Sequence, residues 1–150
     1  THMKTIEREM KELIAADSNI CRNYKLLTSI KGVGPITAIV MLCSTLNFTK
    51  ITDHRKFACY CGLAPFEHSS GTSVRGGCHT SSMANRDIKV QLNRSALIAI
   101  RCDPQLKAYY ERKVAEGKHK FSVLNAVRAK IAARCFAVVR RGTPYVALQI

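Results

Sequence analysis

Three absences limit what this 150-residue chain can do. No apolar run approaches the roughly 20 residues that a membrane-spanning helix requires, so we expect no contact with a membrane. The first residues lack the pattern of a secretory signal, which predicts a cytoplasmic protein. Acidic side chains are scarce, ten in all, and four of them fall within the first 17 residues. Carboxylates so scattered do not form the cluster that a two-metal catalytic centre needs.

Cysteine pairs typical of metal sites are also absent. The seven cysteines include no C-x-x-C pair, and an odd number spread through apolar stretches predicts free, buried thiols in a reducing cytosol. Zinc held by Cys59, Cys61, Cys78 and His79 is the alternative, but their spacing differs from that of common structural zinc sites. We therefore expect this chain to bind no metal and no other cofactor.

What the chain has in excess is positive charge. It carries 24 lysines and arginines against ten acids, a net charge of +14. Such an imbalance predicts a polyanionic partner, and nucleic acid, DNA above all, is the usual one. A basic protein whose charge serves only solubility is the alternative. The length is that of one domain, and a hydrophobic content of 47% excludes wholesale disorder.

The spacing of apolar residues predicts a mainly α-helical fold. The expected helices cover about 4–29, with a break at Asp17-Ser18-Asn19, then 36–45, 54–61, 85–101, 104–116 and 122–140. The helix at 36–45 is nearly all apolar, which predicts burial on every side. Residues 62–86 are rich in Ser, Thr, Gly and His and have no helical period. They predict a loop with a small β-hairpin near residues 63–82.

The centre of this loop is Ser69-Ser70-Gly71. Two small hydroxyls stand beside a residue free to take positive φ, which lets a nucleophile approach a substrate closely. Loops of this length inside compact domains are uncommon and are usually functional. An ordinary solvated Ser/Gly loop is the alternative.

A glycine-rich turn, Lys31-Gly32-Val33-Gly34-Pro35, joins two apolar helices. The arrangement resembles a helix-hairpin-helix motif, in which backbone N–H groups at a helix N-terminus bind a phosphate. The same pattern is compatible with packing alone. The phosphate contacts that it predicts are Lys31, Gly32, Val33, Gly34 and Thr37.

The last third of the chain concentrates the charge. Residues 101–150 carry eleven basic and three acidic side chains. A solvated basic face is the alternative, but few acidic neighbours are present to neutralise the surplus, which favours nucleic-acid contact. The predicted contacts are Lys118, Lys120, Lys130, Arg134 and Arg141.

Over about residues 24–141, these motifs in this order resemble the C-terminal domain of insertion-sequence transposases of the 110/116/902 family. Two departures are visible: Ala84 stands where the family usually has Gly, and Lys89 where it often has Arg. Lysine cannot reproduce a bidentate arginine contact to phosphate. The elements that carry the resemblance are Leu27–Ala38 (LTSIKGVGPITA), Phe57–Pro65 (FACYCGLAP), Ser70-Gly71, Asn85 with a following basic residue, Tyr109-Tyr110 and the basic terminal helix.

The resemblance implies a DNA recombinase directed by a structured RNA, homo-oligomeric in its full-length form. It places the catalytic serine on Ser70, with the adjacent Ser69 as second candidate, and implies attack of the hydroxyl on a DNA phosphodiester. The nearest cations for stabilising the phosphorane are Arg75, Arg86 and Lys89. His68 and His79 are candidate bases, although loop histidines are more often not catalytic. A divalent metal, Mg²⁺, is implied in an N-terminal RuvC-like nuclease domain with four metal-binding acids.

The resemblance also divides the chain. Residues 1–3 look like the remnant of a cloning site, and residues 4–23 like a helix that leads from the missing nuclease domain or forms a coiled coil. Residues 24–141 are the transposase domain and 142–150 a tail. Two other functions stay open: a non-enzymatic helix-hairpin-helix module, and a structural ribonucleoprotein component in which charge alone matters. Acting on DNA would place the protein at the nucleoid.

Overall fold

The computed structural model describes residues 2–63, 65–70, 74–80 and 85–147, with the strand segments described as backbone. The predicted mainly α-helical fold is confirmed. The small β-hairpin expected in the central loop is also present. The elements in chain order are α1 (His2–Ala16), α2 (Ser18–Thr28), α3 (Pro35–Thr45), α4 (His54–Tyr60), β1 (Pro65–Ser70), β2 (Val74–Thr80), α5 (Arg86–Cys102), α6 (Pro104–Ala115) and α7 (Lys120–Arg141).

Short polar side chains begin four of the helices. Asp17, Asp53, Asn85 and Asp103 each accept a hydrogen bond from a backbone N–H in the first turn that follows. These bonds satisfy donors that a helix start leaves without a partner, which is why such residues favour the N-cap. Gly117, in the left-handed conformation, directly follows the C-terminal end of α6. The predicted breaks at residues 17–19, 53, 103 and 117 are therefore confirmed.

Helices α5 and α7 form the centre of the molecule. Helix α5 packs against α3, α6 and α7, while α7 also contacts α2, α4 and α6. The ring of Phe136 on α7 lies 4.9 Å from that of Phe48 and 5.4 Å from that of Phe57, which ties α4 and the end of α3 to the centre. Helical spacing places one apolar face on α7, and all of its members are buried: Leu124, Val127, Ile131, Cys135 and Val138.

Helix α3 is not buried on every side, so that expectation was wrong. Thr37, Ala38 and Met41 are buried, but Ile36 and Cys43 are exposed. The reason is that the packing of α3 against α2 and α5 leaves part of its surface, including Ile36 and Cys43, exposed to solvent.

A left-handed turn of three residues, Leu46-Asn47-Phe48, follows α3, with φ of 48°, 54° and 62°. The backbone N–H of Asn47 donates to the carbonyl of Leu42 at 2.7 Å, and its side-chain oxygen accepts from the buried Asn23 amide at 2.8 Å. Non-glycine residues rarely adopt this conformation, so the sequence gives no signal for it. The turn places the Phe48 ring in the core.

Helix α1 is exposed along most of its length. It packs against α2, yet none of its residues is buried. The apolar stripe that helical spacing predicts here consists of Ile6, Met10, Leu13 and Ile14. Ile6 and Leu13 are 44% and 72% exposed, whereas Met10 and Ile14 are partly buried. Among the described helices, none combines the length and the apolar content that crossing a membrane would need.

Candidate nucleic-acid interface

The central segment folds back on itself as an antiparallel hairpin of β1 and β2. Its register pairs Ser69 with Arg75 and Ser70 with Val74. The register shifts between Glu67 and Ser69, the sign of a β-bulge. Residues 71–73, which join the strands, lie outside the described residues, as do the side chains of both serines, of Arg75 and of the candidate bases His68 and His79.

Three hydrogen bonds hold the chain on either side of this hairpin to the helical scaffold. The carbonyl of Tyr60 accepts from the backbone N–H of Asn85 at 3.1 Å. The carbonyl of Gly62 accepts from Lys89 Nζ at 3.1 Å, and that of Leu63 accepts from Asn125 Nδ2 at 2.9 Å. We call the group Gly62, Leu63, Lys89, Asn125 and Arg128 the hairpin foot.

Two cations lie at the hairpin foot. Arg128 is 9% exposed; its Nη1 lies 3.3 Å from Asn125 Oδ1, and its buried Nε has no hydrogen-bond partner among the described residues. Burial lowers the pKa of Lys89, and the charge of Arg128 lowers it further. Burial also lowers the pKa of Arg128. Within the described residues, no carboxylate forms an ion pair with either side chain.

The one thiol beside this pair does not supply a negative charge. Burial raises the pKa of Cys61 to about 11, so the thiol stays neutral at physiological pH. Lys89 was predicted as a stabilising cation, and the structure places it at the start of the serine hairpin. Arg128 was missed. Its signal in the sequence is a charge within the apolar face of α7, one turn after Leu124 and three residues before Ile131.

The glycine-rich turn packs against α5. Gly32 has φ of 94°, and a Cβ at this position would lie 2.6 Å from the carbonyl oxygen of Ser95 and 2.9 Å from Ala99 Cβ. Val33 is buried. The hydroxyl of Thr37, also buried, lies 3.1 Å from that of Ser95. These predicted phosphate contacts therefore belong to the packing of α3 on α5.

Two of the other predicted contacts in this turn face outward. Lys31 is exposed, and a Cβ at Gly34 would meet no atom within 4 Å. Gly34 is the N-cap of α3, without a capping side chain. Whether Lys31, Gly32, Val33, Gly34 and Thr37 contact phosphate stays a prediction.

A cleft of about 770 Å³ lies between α6 and α7. Its centre is the ring of Tyr109, with Lys130 Nζ 4.5 Å and the Arg112 guanidinium 5.8 Å from the ring centroid. Lys130 was predicted as a nucleic-acid contact, whereas Arg112 was missed. Aromatic faces with cations beside them suit the bases and phosphates of nucleic acid.

Arg134, at the edge of the same cleft, is held within the fold. Its Nη1 donates to Asp103 Oδ2 at 2.8 Å and its Nη2 to Gln105 Oε1 at 2.6 Å. The guanidinium also lies 4.7 Å from the ring centroid of Tyr145. The predicted nucleic-acid contact at Arg134 thus has a structural role that the sequence did not reveal, since its partner Asp103 is 31 residues away.

The remaining predicted cations are exposed. Lys118 and Lys120 lie in the connection between α6 and α7. Arg141 ends α7 and bonds to the Thr143 hydroxyl and the Pro144 carbonyl. Arg86 is the first residue of α5. None of the described Lys89, Arg86, Lys118 and Lys120 forms an ion pair with a described acid, which leaves these cations available to an anionic partner.

Asp103 offers a test of this network. Burial alone would raise its pKa, but the Leu106 N–H and the Arg134 guanidinium outweigh burial and hold the pKa below its usual range. The carboxylate therefore stabilises the fold above about pH 4, its unfolded value, and this contribution is lost as pH falls through the lower folded pKa.

We expect Asp103→Asn to lower the free energy of unfolding by about 1.5–2 kcal/mol at pH 7, because Asn still caps α6 but removes the charge that Arg134 binds. Chemical denaturation of both proteins between pH 7 and pH 3 measures this. The difference should shrink on acidification below about pH 4. A difference that stays constant over that range would contradict the assigned role of the carboxylate.

Comparison with known protein families gives one match. The model described as "Transposase IS116/IS110/IS902 family" matches residues 24–111. This range covers α3, α4, the hairpin and α5, with the C-terminal end of α2 and the first part of α6.

Several individual proteins are also similar to this chain in sequence. The "Insertion element IS110 uncharacterized 43.6 kDa protein" of Streptomyces coelicolor is 39% identical over 80% of this chain and 29% of its own length. The "Pilin gene-inverting protein" of Moraxella bovis is 23% identical over 93% of this chain and 44% of its own length. The "Probable family 20 transposase" of Pseudomonas aeruginosa is 29% identical over 65% of this chain and 27% of its own length. The chain thus spans less than half the length of these relatives.

Proposed function

This chain belongs to the IS116/IS110/IS902 family of transposases, and we propose that it is the part of such a transposase that carries the nucleophilic serine and contacts DNA. The observation that carries the proposal is the extent of the family match. Residues 24–111 include the whole hairpin, with Ser69 and Ser70 at the end of β1, and the cations Arg86 and Lys89 of α5.

The proposed chemistry is strand cleavage and joining through a phosphoserine bond. The Ser70 oxygen attacks a DNA phosphorus; the bond from phosphorus to one sugar oxygen breaks, and that oxygen leaves with a proton as a DNA hydroxyl. The serine proton passes to a base. A hydroxyl of a second DNA end then attacks the phosphoserine, which restores the serine and joins the ends without loss of bond energy. Splitting one difficult step into two in this way is the usual gain of covalent catalysis.

Cations near the hairpin would stabilise the negative charge of the phosphorane. Arg75 lies opposite Ser69 in the register of the hairpin. Arg86 is exposed on the first turn of α5, close in sequence to the C-terminal end of β2. Preorganised positive groups of this kind stabilise charge that develops in a transition state.

The potential metal ligands of the described residues are scattered. Among the described residues, no three His, Cys, Asp or Glu side chains lie close enough together to hold an ion. We therefore propose that the Mg²⁺ implied by the family is bound outside this chain, by the nuclease domain of the full-length protein. The lone chain would then hold half of an active site.

A structured guide RNA and a second subunit complete the proposal. The basic cleft around Tyr109 and the exposed Lys118 and Lys120 offer a surface to RNA as well as to DNA. The apolar stripe of α1 supports a homo-oligomer, because exposed apolar side chains at helical spacing favour pairing with another helix.

We expect the 150-residue chain to bind duplex DNA or RNA with little sequence preference and a steep dependence on salt. With about 4–6 phosphates neutralised, the slope of log K against log salt should lie near about −4 to −5. Replacing Lys118, Lys120 and Lys130 together with Gln should reduce the slope by about 2–3, because each lost phosphate contact removes about one. Fluorescence anisotropy with a labelled duplex at several salt concentrations measures this.

The matched control replaces Lys4, Lys11 and Lys25 with Gln, which removes the same charge from α1 and α2. This control should change the slope by less than about one if α1 is not at the interface. A slope near zero for the unmodified chain would contradict the nucleic-acid proposal altogether.

A non-enzymatic helix-hairpin-helix module is the second candidate function. It is favoured by the outward-facing Lys31 and by the open N-cap at Gly34. In such a module Ser70 would have no chemical role. Loss of the serine hydroxyl would then leave the function intact, whereas it would abolish the reaction of a transposase.

A further inference from the structure

The hairpin foot contains two positive charges that form no ion pair with an acid in the described part of the chain. Arg128 is more than nine-tenths buried, and Lys89 Nζ is placed by the carbonyl of Gly62. Burial lowers the pKa of both cations, and the charge of Arg128 lowers the pKa of Lys89 further. Buried charges in proteins are normally paired. A pair of cations held together without an acid among the described residues therefore indicates a site for an anion.

The donors left over at the hairpin foot suit a phosphate. Of the donor nitrogens of Arg128, Nη1 bonds to Asn125, while Nη2 has no hydrogen-bond partner among the described residues and, unlike Nε, is not one of the fully buried unpartnered atoms. The Lys89 ammonium has three N–H donors, and one described acceptor, the Gly62 carbonyl, takes a hydrogen bond from it. Charge-assisted bonds from arginine and lysine to phosphate oxygens are among the strong hydrogen bonds of proteins. Asn125 supports the arrangement, since its amide fixes Leu63 while its oxygen accepts from Arg128 Nη1.

We propose that Lys89 and Arg128 at the hairpin foot bind one backbone phosphate of the DNA, separate from the phosphate that the serine attacks. This proposal rests on the proposed function, which makes DNA the ligand. It assigns Arg128, outside the residues matched by the family model, a role in positioning the DNA strand relative to the hairpin.

Chain length makes such positioning feasible. Seven residues separate Leu63 from Ser70, and a fully extended chain of that length spans at most about 25 Å. One turn of B-DNA is about 34 Å long. A phosphate at the hairpin foot therefore lies within one helical turn of the attacked phosphate, and because the same segment of chain holds both ends, the spacing between the two contacts is limited.

The test compares Arg128→Met and Lys89→Met with Lys107→Met, an exposed cation of α6 that serves as control. Two quantities are measured for each 150-residue chain: duplex DNA affinity against salt, and the melting temperature in phosphate-free buffer with and without millimolar inorganic phosphate. We expect Arg128→Met and Lys89→Met each to weaken DNA binding about five- to tenfold and to reduce the salt slope by about one, against little change in the control. Added phosphate should raise the melting temperature of the unmodified chain but not that of Arg128→Met.

Free-state stability provides the second criterion. Without phosphate, Arg128→Met should melt at the same temperature as the unmodified chain or higher, because replacing an unpaired buried charge with an apolar side chain removes a desolvation cost. A marked fall in melting temperature, or failure to fold, would show that Arg128 is paired within the chain and would overturn the proposal. The proposal would also be overturned if Lys89→Met left the slope of log K against log salt for duplex DNA unchanged.

The outcomes separate this inference from the proposed function. Suppose that the affinity of the unmodified chain for duplex DNA depends steeply on salt, while Arg128→Met and Lys89→Met behave like Lys107→Met. The proposed phosphate site is then wrong, and the proposed function stands. If the unmodified chain shows no salt-dependent binding, the proposed function fails with it. Loss of affinity for duplex RNA alone would make RNA the occupant and refute the assignment to DNA.

Discussion

Replacing Ser70 with Ala is expected to abolish the covalent protein–DNA adduct formed by the full-length transposase with its RNA and a divalent metal. The hydroxyl oxygen is the attacking atom in the proposed reaction, so its loss removes the step itself. DNA affinity should stay within about fivefold, because one neutral hydroxyl contributes ~1 kcal/mol or less to binding. The measurement is a denaturing gel of end-labelled DNA, with a binding assay on the same preparations.

Ser69→Ala is the matched control, identical in chemistry and one residue away. Both serines belong to β1 and are adjacent in the strand. We expect this variant to retain the adduct. If the adduct survives Ser70→Ala and disappears with Ser69→Ala, the nucleophile is Ser69. If it survives both, the hairpin does not supply the nucleophile and the helix-hairpin-helix module becomes the better description.

Gly32→Ala should cost the fold about 3 kcal/mol, a large part of a typical domain's stability. The position has φ of 94°, which a residue with Cβ rarely adopts, and the added carbon would stand 2.6 Å from the backbone oxygen of Ser95. The turn and α5 would have to separate, which also strains the contact between Thr37 and Ser95. Denaturant unfolding followed by circular dichroism measures the change.

Gly34→Ala is its control within the same turn. Gly34 has φ of −88°, which any residue adopts, and open space around the missing Cβ. We expect a change within about 0.5 kcal/mol. Equal destabilisation by the two substitutions would mean that turn flexibility matters, and not the packing of Gly32 on α5. If the folded Gly34→Ala protein still binds DNA, any phosphate contact at this position is made by backbone groups, which alanine retains.

Local chemistry was the part of this fold that the sequence could predict. Asp17, Asp53 and Asp103 act on backbone groups two or three residues away, so their capping roles can be read from neighbouring letters. The apolar face of α7 follows from a period of 3.6 residues, which is also a local property. The hairpin was predicted from composition, and its register was not.

Long-range partnership was the part that could not be predicted. Arg134 looked available because nothing near it in sequence is acidic, yet Asp103 at the start of α6 binds it. Arg128 is a charge in an apolar face, and its nearness to Lys89 depends on the packing of α5 on α7. The left-handed turn at Leu46-Asn47-Phe48 depends on Asn23, 24 residues from Asn47. In each case the deciding contact joins elements whose relative position no local pattern specifies.

The hydrogen bond between Asn85 and Tyr60 has a consequence for how this family can evolve. This bond joins the two ends of the segment that contains the hairpin. The end of α4 and the start of α5 are therefore held together independently of the length of that segment. The free energy of closing such a loop grows slowly, by only about 0.6 kcal/mol for each doubling of its length. Hairpins of different length and sequence can therefore be accommodated at this junction while the helical scaffold stays the same.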